Sequence, residues 1–196
     1  PPLEYQIPFI DDELEKVNEG MDIIDAALDR VGCEERHMCE GNHDDWLNQF
    51  VSENPFLKKY LFKNAVHLEQ RGYIFHPMGK IFNIGHLHFY HGNHFSGISH
   101  ARTHLLRLGC NIMYGHHHDI QHATVTHMDG PKSAWSIGCL KDMGKDANAW
   151  LNNREHNWQH GFAIVHFYDN GMFNAEIHNI IDGKTFVGGE LIDGNA

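Results

Sequence analysis

The chain has 196 residues, 41% of them hydrophobic, and a formal net charge of −11 with its histidines neutral. This composition excludes intrinsic disorder and predicts one folded domain over residues 1–196. The acidic balance argues against strong binding to duplex nucleic acid, which needs clustered Lys and Arg. No stretch approaches 18 apolar residues and no signal peptide is visible, so we expect a cytoplasmic protein that does not bind membranes.

The first half of the chain alternates helical and extended patterns. Residues 11–30 start acidic, repeat apolar residues at helical spacing and precede Gly32, which predicts an amphipathic helix covering a sheet. Its apolar face would consist of Leu14, Val17, Met21, Ile24 and Leu28. Strands are predicted over 36–40, 73–77, 86–91 and 111–115. Helices are predicted over 45–54, 65–72 and 97–109.

The second half is mostly extended. Strands are predicted over 123–128, 133–138, 162–168 and 173–181. Asn170 and Gly171 separate the last two, and this pair is a strong signal for a hairpin. Alternating strands and helices followed by strands predict an α/β fold with one mixed sheet and one more antiparallel sheet.

Four cysteines are present, and no two of them have the C-x-x-C spacing of many metal and redox sites. We expect Cys33, Cys39, Cys110 and Cys139 to be reduced, mostly buried thiols.

Histidine is the unusual residue of this chain, with 19 of 196 positions. It is the commonest metal ligand and a general acid near neutral pH. The excess is also compatible with a histidine-rich surface or core, or with a protein that sequesters metal at many weak sites.

Three polar motifs follow predicted strands, each with a glycine beside it. They are Gly41-Asn42-His43-Asp44, His91-Gly92 and Gly115-His116-His117-His118. Open α/β sheets bind ligands at the carboxyl ends of their strands. In His116-x-His118 the period of two would direct both imidazoles to one side of an extended segment. Imidazole and amide oxygen ligands suit Mn, Zn, Fe or Ni better than Ca or Mg.

The order G-N-H-D, H-G and G-H-x-H resembles the later motifs of the calcineurin-like metallophosphoesterases, and the stretch from Ser136 to Phe167 resembles the end of a bacterial or phage branch. The resemblance covers residues 12 to 190. It implies a two-sheet β-sandwich flanked by helices. It also implies hydrolysis of a phosphodiester or phosphomonoester, a nucleotide included, by water activated between two metals.

The resemblance also implies a role for each motif residue. Asn42, His91 and His116 would bind one divalent transition metal, manganese being favoured, and His118 would bind the other. His43 would be the general acid at the leaving group, oriented by Asp44.

Two earlier motifs of that family, D-x-H and G-D-x-x-D, do not occur in this sequence. They supply further metal ligands, so the first strands of the family fold are expected to be missing with them. Three alternatives remain: a complementary N-terminal polypeptide or a longer product, a degenerate module that acts in protein–protein contact, or completion by carboxylates elsewhere in the chain. Lost strands would expose a sheet edge, so a partner or self-association is expected.

Overall fold

A computed structural model describes residues 3–144, 148, 151–152 and 154–194, with side chains from residue 9 onward. The chain divides into two compact units, Pro1–Met78 and Gly79–Ala196. The mixed α/β class predicted from the sequence is confirmed, whereas the single domain over 1–196 stays a prediction. None of the described helices is both long and apolar enough to cross a bilayer.

The first unit combines helices with a short parallel strand pair. Its elements are α1 (Leu3–Arg30), β1 (Arg36–Cys39), α2 (Asn42–Glu53), a 3-10 helix (Pro55–Tyr60), α3 (Phe62–Ala65) and β2 (Tyr73–His76). Strands β1 and β2 are parallel, with Cys39 paired to His76. The helix predicted over 65–72 is wrong: turns follow α3, and His67 has a φ of 56°, which a helix does not allow.

Helix α1 ends as the sequence predicts. Gly32 has a φ of 69°, and its N–H donates to Asp29 O at 3.1 Å. The Cys33 N–H donates to Leu28 O at 2.9 Å. These two bonds form a Schellman motif, which satisfies carbonyls at the helix end.

The buried face of α1 differs from the predicted apolar stripe. Val17 and Ile24 are exposed, whereas Met21 is buried. Asp25 lies on the inward face and accepts a hydrogen bond from Tyr73 Oη at 2.9 Å. It also pairs with Arg71 at 2.5 Å. The spacing of apolar residues does not indicate a polar contact of this kind.

The second unit is built around a five-stranded sheet. Its elements are β3 (Phe82–Ile84), β4 (Leu87–Tyr90), α4 (His100–Leu108), β5 (Ile112–Tyr114), β6 (Ile120–His127), β7 (Gly130–Ile137), β8 (Gly161–Phe167), β9 (Phe173–Asn179), β10 (Lys184–Val187) and β11 (Glu190–Asp193). The sheet order is β3-β4-β5-β7-β6, with β4, β5 and β7 parallel. The predicted hairpin is confirmed: β8 and β9 are antiparallel, and Gly171 between them has a φ of 81°.

Each face of this sheet has its own core. On one face, Leu105 of α4 packs with Ile112 and Tyr114. On the other face, Leu87, Met113 and Trp135 pack with apolar residues of the β8–β9 hairpin. Ile98, inside the helix predicted over 97–109, lies before α4 and is exposed. The sheet therefore lies between a helix and a second strand layer.

The four cysteines are free thiols, and each is partly buried.

Candidate metal centre

Two predicted ligands meet at the carboxyl ends of neighbouring parallel strands. His91 follows β4 and His116 follows β5, and these strands pair directly. The two imidazoles approach edge to face, with His91 Nε2 and His116 Nδ1 3.0 Å apart. Sequence and topology therefore bring these two side chains together within the second unit.

The separation of these nitrogens can be compared with metal coordination. Two imidazole nitrogens about 2.1 Å from one ion, at roughly a right angle, lie about 3.0 Å apart. In the structure this 3.0 Å separation is a hydrogen bond between the two rings, and the same distance would fit adjacent ligands of one ion. Within the described residues, no group of three or more His, Cys, Asp or Glu side chains is arranged to hold a metal ion.

The loop that carries His116 and His118 is bent, not extended. Both residues have positive φ, 63° and 64°, so the period-two argument for their side chains is wrong. His118 lies edge-on to Trp158, with ring centroids 4.9 Å apart. Left-handed backbone at two non-glycine residues stores strain, which proteins keep mostly at functional sites.

Gly92 completes the H-G motif for a steric reason. Its φ is 115°, and a Cβ at this position would lie 2.7 Å from Tyr114 Cδ2 and 3.1 Å from both Gly115 O and His116 Cβ. The absence of a side chain lets the segment after β4 pass close to the loop after β5.

The G-N-H-D motif is the start of a helix. Helix α2 begins at Asn42, three residues earlier than predicted, so Asn42, His43 and Asp44 form its first turn. Asp44 contributes to capping from inside the helix, because its Oδ2 accepts the Gly41 N–H at 2.9 Å.

Asp44 and His43 make different contacts at this turn. The His43 ring stacks on Trp46, with centroids 4.5 Å apart. Burial raises the pKa of the Asp44 carboxyl above its usual value, and the Gly41 N–H and His43 partly oppose that effect. The orientation of His43 by Asp44 stays a prediction.

Two histidines outside the three motifs, which the sequence predicts to lie at the surface or beside the site, are buried. His100 and His104 are 2% and 0% exposed. Burial lowers the pKa of His104 to about 4, which keeps the ring neutral. Its Nδ1 donates to His100 O at 2.8 Å. Helical spacing alone could have assigned both to the inner face of α4, because Ala101 and Leu105 flank them there.

His117 is the middle histidine of the loop, and the sequence gave it no role. Its ring stacks on His100 at a centroid distance of 3.8 Å, and its Nε2 donates to Phe95 O at 2.9 Å. Burial lowers its pKa. The side chain therefore anchors the loop between two predicted ligands.

A cavity of about 420 Å³ opens beside this loop and is lined in part by His100, His117 and Asp119. A larger one of about 770 Å³ lies at the amino ends of β4 and β5, where His86, His88 and His122 face it. The second cavity is at the opposite end of these strands from His91 and His116.

Comparison of the chain with protein-family models, with curated proteins and with solved structures gave no match.

Proposed function

We propose that this chain belongs to a metal-dependent phosphoesterase with a metallophosphoesterase-like two-sheet fold. Its substrate would be a phosphodiester or a phosphomonoester, nucleotides included. The observation that carries the proposal is the approach of His91 Nε2 to His116 Nδ1 at the carboxyl ends of two parallel strands. The strained backbone at His116 and His118 supports it, because such strain concentrates at functional sites.

In the second unit, His91 and His116 would hold one divalent transition metal and His118 would hold a second, with Mn favoured over Zn, Fe or Ni. The ligand role that the sequence gave Asn42 stays a prediction. When bound, such a pair of ions supplies an activated water and binds the phosphate oxygens.

His43 would protonate the departing alkoxide oxygen. A neutral imidazole cannot do so, and an imidazolium near its ordinary pKa can. Stacking on Trp46 restricts the ring. The proton would then be replaced from solvent.

The first test is metal binding, because it does not require a complete catalytic site. Mn²⁺ and Zn²⁺ are titrated into the protein by calorimetry. His91→Ala and His116→Ala should each abolish tight binding, since each removes a ligand of the same ion. His166→Ala is the matched control, because His166 is an exposed histidine of the same unit. Unchanged binding in the first two variants would remove the site assignment.

The second test is hydrolysis of bis(p-nitrophenyl) phosphate and p-nitrophenyl phosphate with Mn²⁺. His43→Gln should lower kcat by about 10²–10⁴-fold, the usual contribution of a general acid. The sequence has no D-x-H or G-D-x-x-D motif, so we propose that a complementary N-terminal polypeptide, or a longer product that includes this chain, supplies the remaining carboxylates. If the chain binds metal but hydrolyses neither substrate, alone or with a partner, the alternative of a non-catalytic module that acts in protein–protein contact is favoured.

A further inference from the structure

The loop of residues 115–119 holds two histidines in a conformation that costs free energy. His116 and His118 have φ values of 63° and 64°. Such non-glycine residues persist only where surrounding contacts determine them. The question is which contacts hold this loop.

The carbonyls at the end of the loop are bound by groups distant in sequence. His118 O accepts the Gln159 N–H at 2.7 Å. Asp119 O accepts the Gly138 N–H at 3.0 Å and the Ser136 hydroxyl at 2.7 Å. The backbone at this point is therefore fixed to strand β7 and to the segment before β8.

The Asp119 side chain is buried, at 3% exposure, and both of its oxygens are bound. Oδ1 accepts from His100 Nε2 at 2.8 Å. Oδ2 accepts from Gln121 Nε2 at 2.8 Å and from Asn157 Nδ2 at 2.9 Å. One carboxylate thus joins helix α4, strand β6 and the segment before β8 to the end of the loop.

His100 extends these contacts to the middle of the loop. Because its Nε2 donates to Asp119, its Nδ1 accepts from Tyr114 Oη at 2.7 Å. These two hydrogen bonds fix the orientation of the His100 ring. His117 stacks on this ring, with an angle of 15° between the two planes. The loop is held at its middle and at its end by the same carboxylate, directly and through His100.

We propose that Asp119 is a positioning residue for His116 and His118. It binds no metal itself; it fixes the strained backbone that presents the two imidazoles. An uncharged amide replaces it only in part, because its NH₂ end would face either the Gln121 and Asn157 donors or His100. His100 could keep its contact only by changing tautomer, with Nδ1 donating to Tyr114 Oη, and the negative charge would be lost in either case. This inference rests on the proposed function, since it assumes that these imidazoles bind metal.

The test is calorimetric titration of Mn²⁺ and Zn²⁺ into Asp119→Asn, with Co²⁺ absorption as a second readout of ligand geometry. Affinity should fall about 10–100-fold, the usual effect of removing a group that orients metal ligands, and the Co²⁺ spectrum should change. Asp129→Asn is the control, because Asp129 is an exposed carboxylate of the same unit, paired with Lys132. A purely structural role would lower the free energy of unfolding and leave the affinity of the folded protein unchanged.

Asn157→Ala replaces Asp119→Asn in this test if the latter does not fold, since it removes a single donor to Asp119 Oδ2. Its affinity for Mn²⁺ and Zn²⁺ should fall measurably, but by less than is expected for Asp119→Asn. Unchanged affinity in the variant that folds, with His116→Ala abolishing binding, would overturn the positioning role and leave the proposed function intact. Unchanged binding in His116→Ala would overturn both.

Discussion

Two of the three histidine motifs, at residues 41–44 and 115–118, have backbones that are fixed by different kinds of contact. Residues 41–44 are the first turn of a helix, fixed by a bond between neighbours, Asp44 Oδ2 and the Gly41 N–H. Residues 115–119 form an irregular loop, fixed by groups distant along the chain, such as His100 and Asn157, which bind Asp119 from 19 and 38 residues away.

The difference has consequences for robustness. A helix turn depends on hydrogen bonds that the segment makes with itself, so a distant substitution should leave it in place. The loop depends on several elements of the second unit at once, so changes outside it should disturb it. The substitutions at Gly92 and Asp44 test this contrast, with hydrogen exchange of peptides covering 42–53 and 112–127 as a common readout.

The largest effect is expected from Gly92→Ala. The added Cβ would lie 2.7 Å from Tyr114 Cδ2 and 3.1 Å from His116 Cβ, so the loop must move. The free energy of unfolding, measured in urea, should fall by about 3 kcal/mol, the upper end of the usual cost of overpacking a core. Exchange should rise in 112–127 and stay constant in 42–53.

Gly97→Ala is the matched control for this variant. Gly97 has a similar φ, 108°, but no atom within 4 Å of the position its Cβ would take. It should therefore show only the backbone cost that both variants share. Equal losses in the two variants would mean that backbone conformation, and not the close approach of the loop, explains the effect.

The second effect is a dependence of stability on pH. Burial lowers the pKa of His104 from 6.5 to about 4 in the folded protein. The unfolded chain therefore binds a proton between these values while the folded chain does not, so stability falls as pH falls from about 6.5 toward 4. One such group should lower the free energy of unfolding by about 2 kcal/mol at pH 5 relative to pH 7.5. The measurement is urea unfolding across this range.

His104→Gln should flatten this dependence, because the amide can still donate to His100 O but does not titrate. His117, whose pKa is also lowered by burial, contributes in the same direction and should account for the slope that remains. The same pH profile in His104→Gln and the unmodified protein would exclude His104 as the source.

The contrast between the two motifs also explains which features the sequence could predict. Periodicity and turn residues are local, and they correctly predicted the end of α1 at Gly32 and the hairpin at Asn170-Gly171. Strand ends are local as well: the strands predicted over 86–91 and 111–115 correspond to β4 and β5, and His91 and Gly115 lie directly after them.

The contacts of the 115–119 loop could not be predicted in this way. The pairing of Asp119 with His100 joins residues that only the packing of α4 on the sheet brings together. The left-handed backbone at His116 and His118 could not be predicted either, because histidine gives a weaker sequence signal for this conformation than glycine does. The proximity of His91 to His116 was predictable only because parallel neighbouring strands end at one edge.

The smallest effect is expected from Asp44→Ala, which tests the locally held motif. The substitution removes the acceptor of the Gly41 N–H, and loss of a helix cap costs about 1 kcal/mol. Burial raises the pKa of Asp44, so the ionised carboxylate carries a desolvation cost at neutral pH that offsets part of this bond. Exchange should rise at the start of 42–53 and remain constant in 112–127. Asp45→Ala removes a charge from the same turn, but that carboxylate bonds Gln49 instead of the helix start, so it should change exchange less. If Asp44→Ala disturbed 112–127 as strongly as 42–53, the first motif would not be held locally.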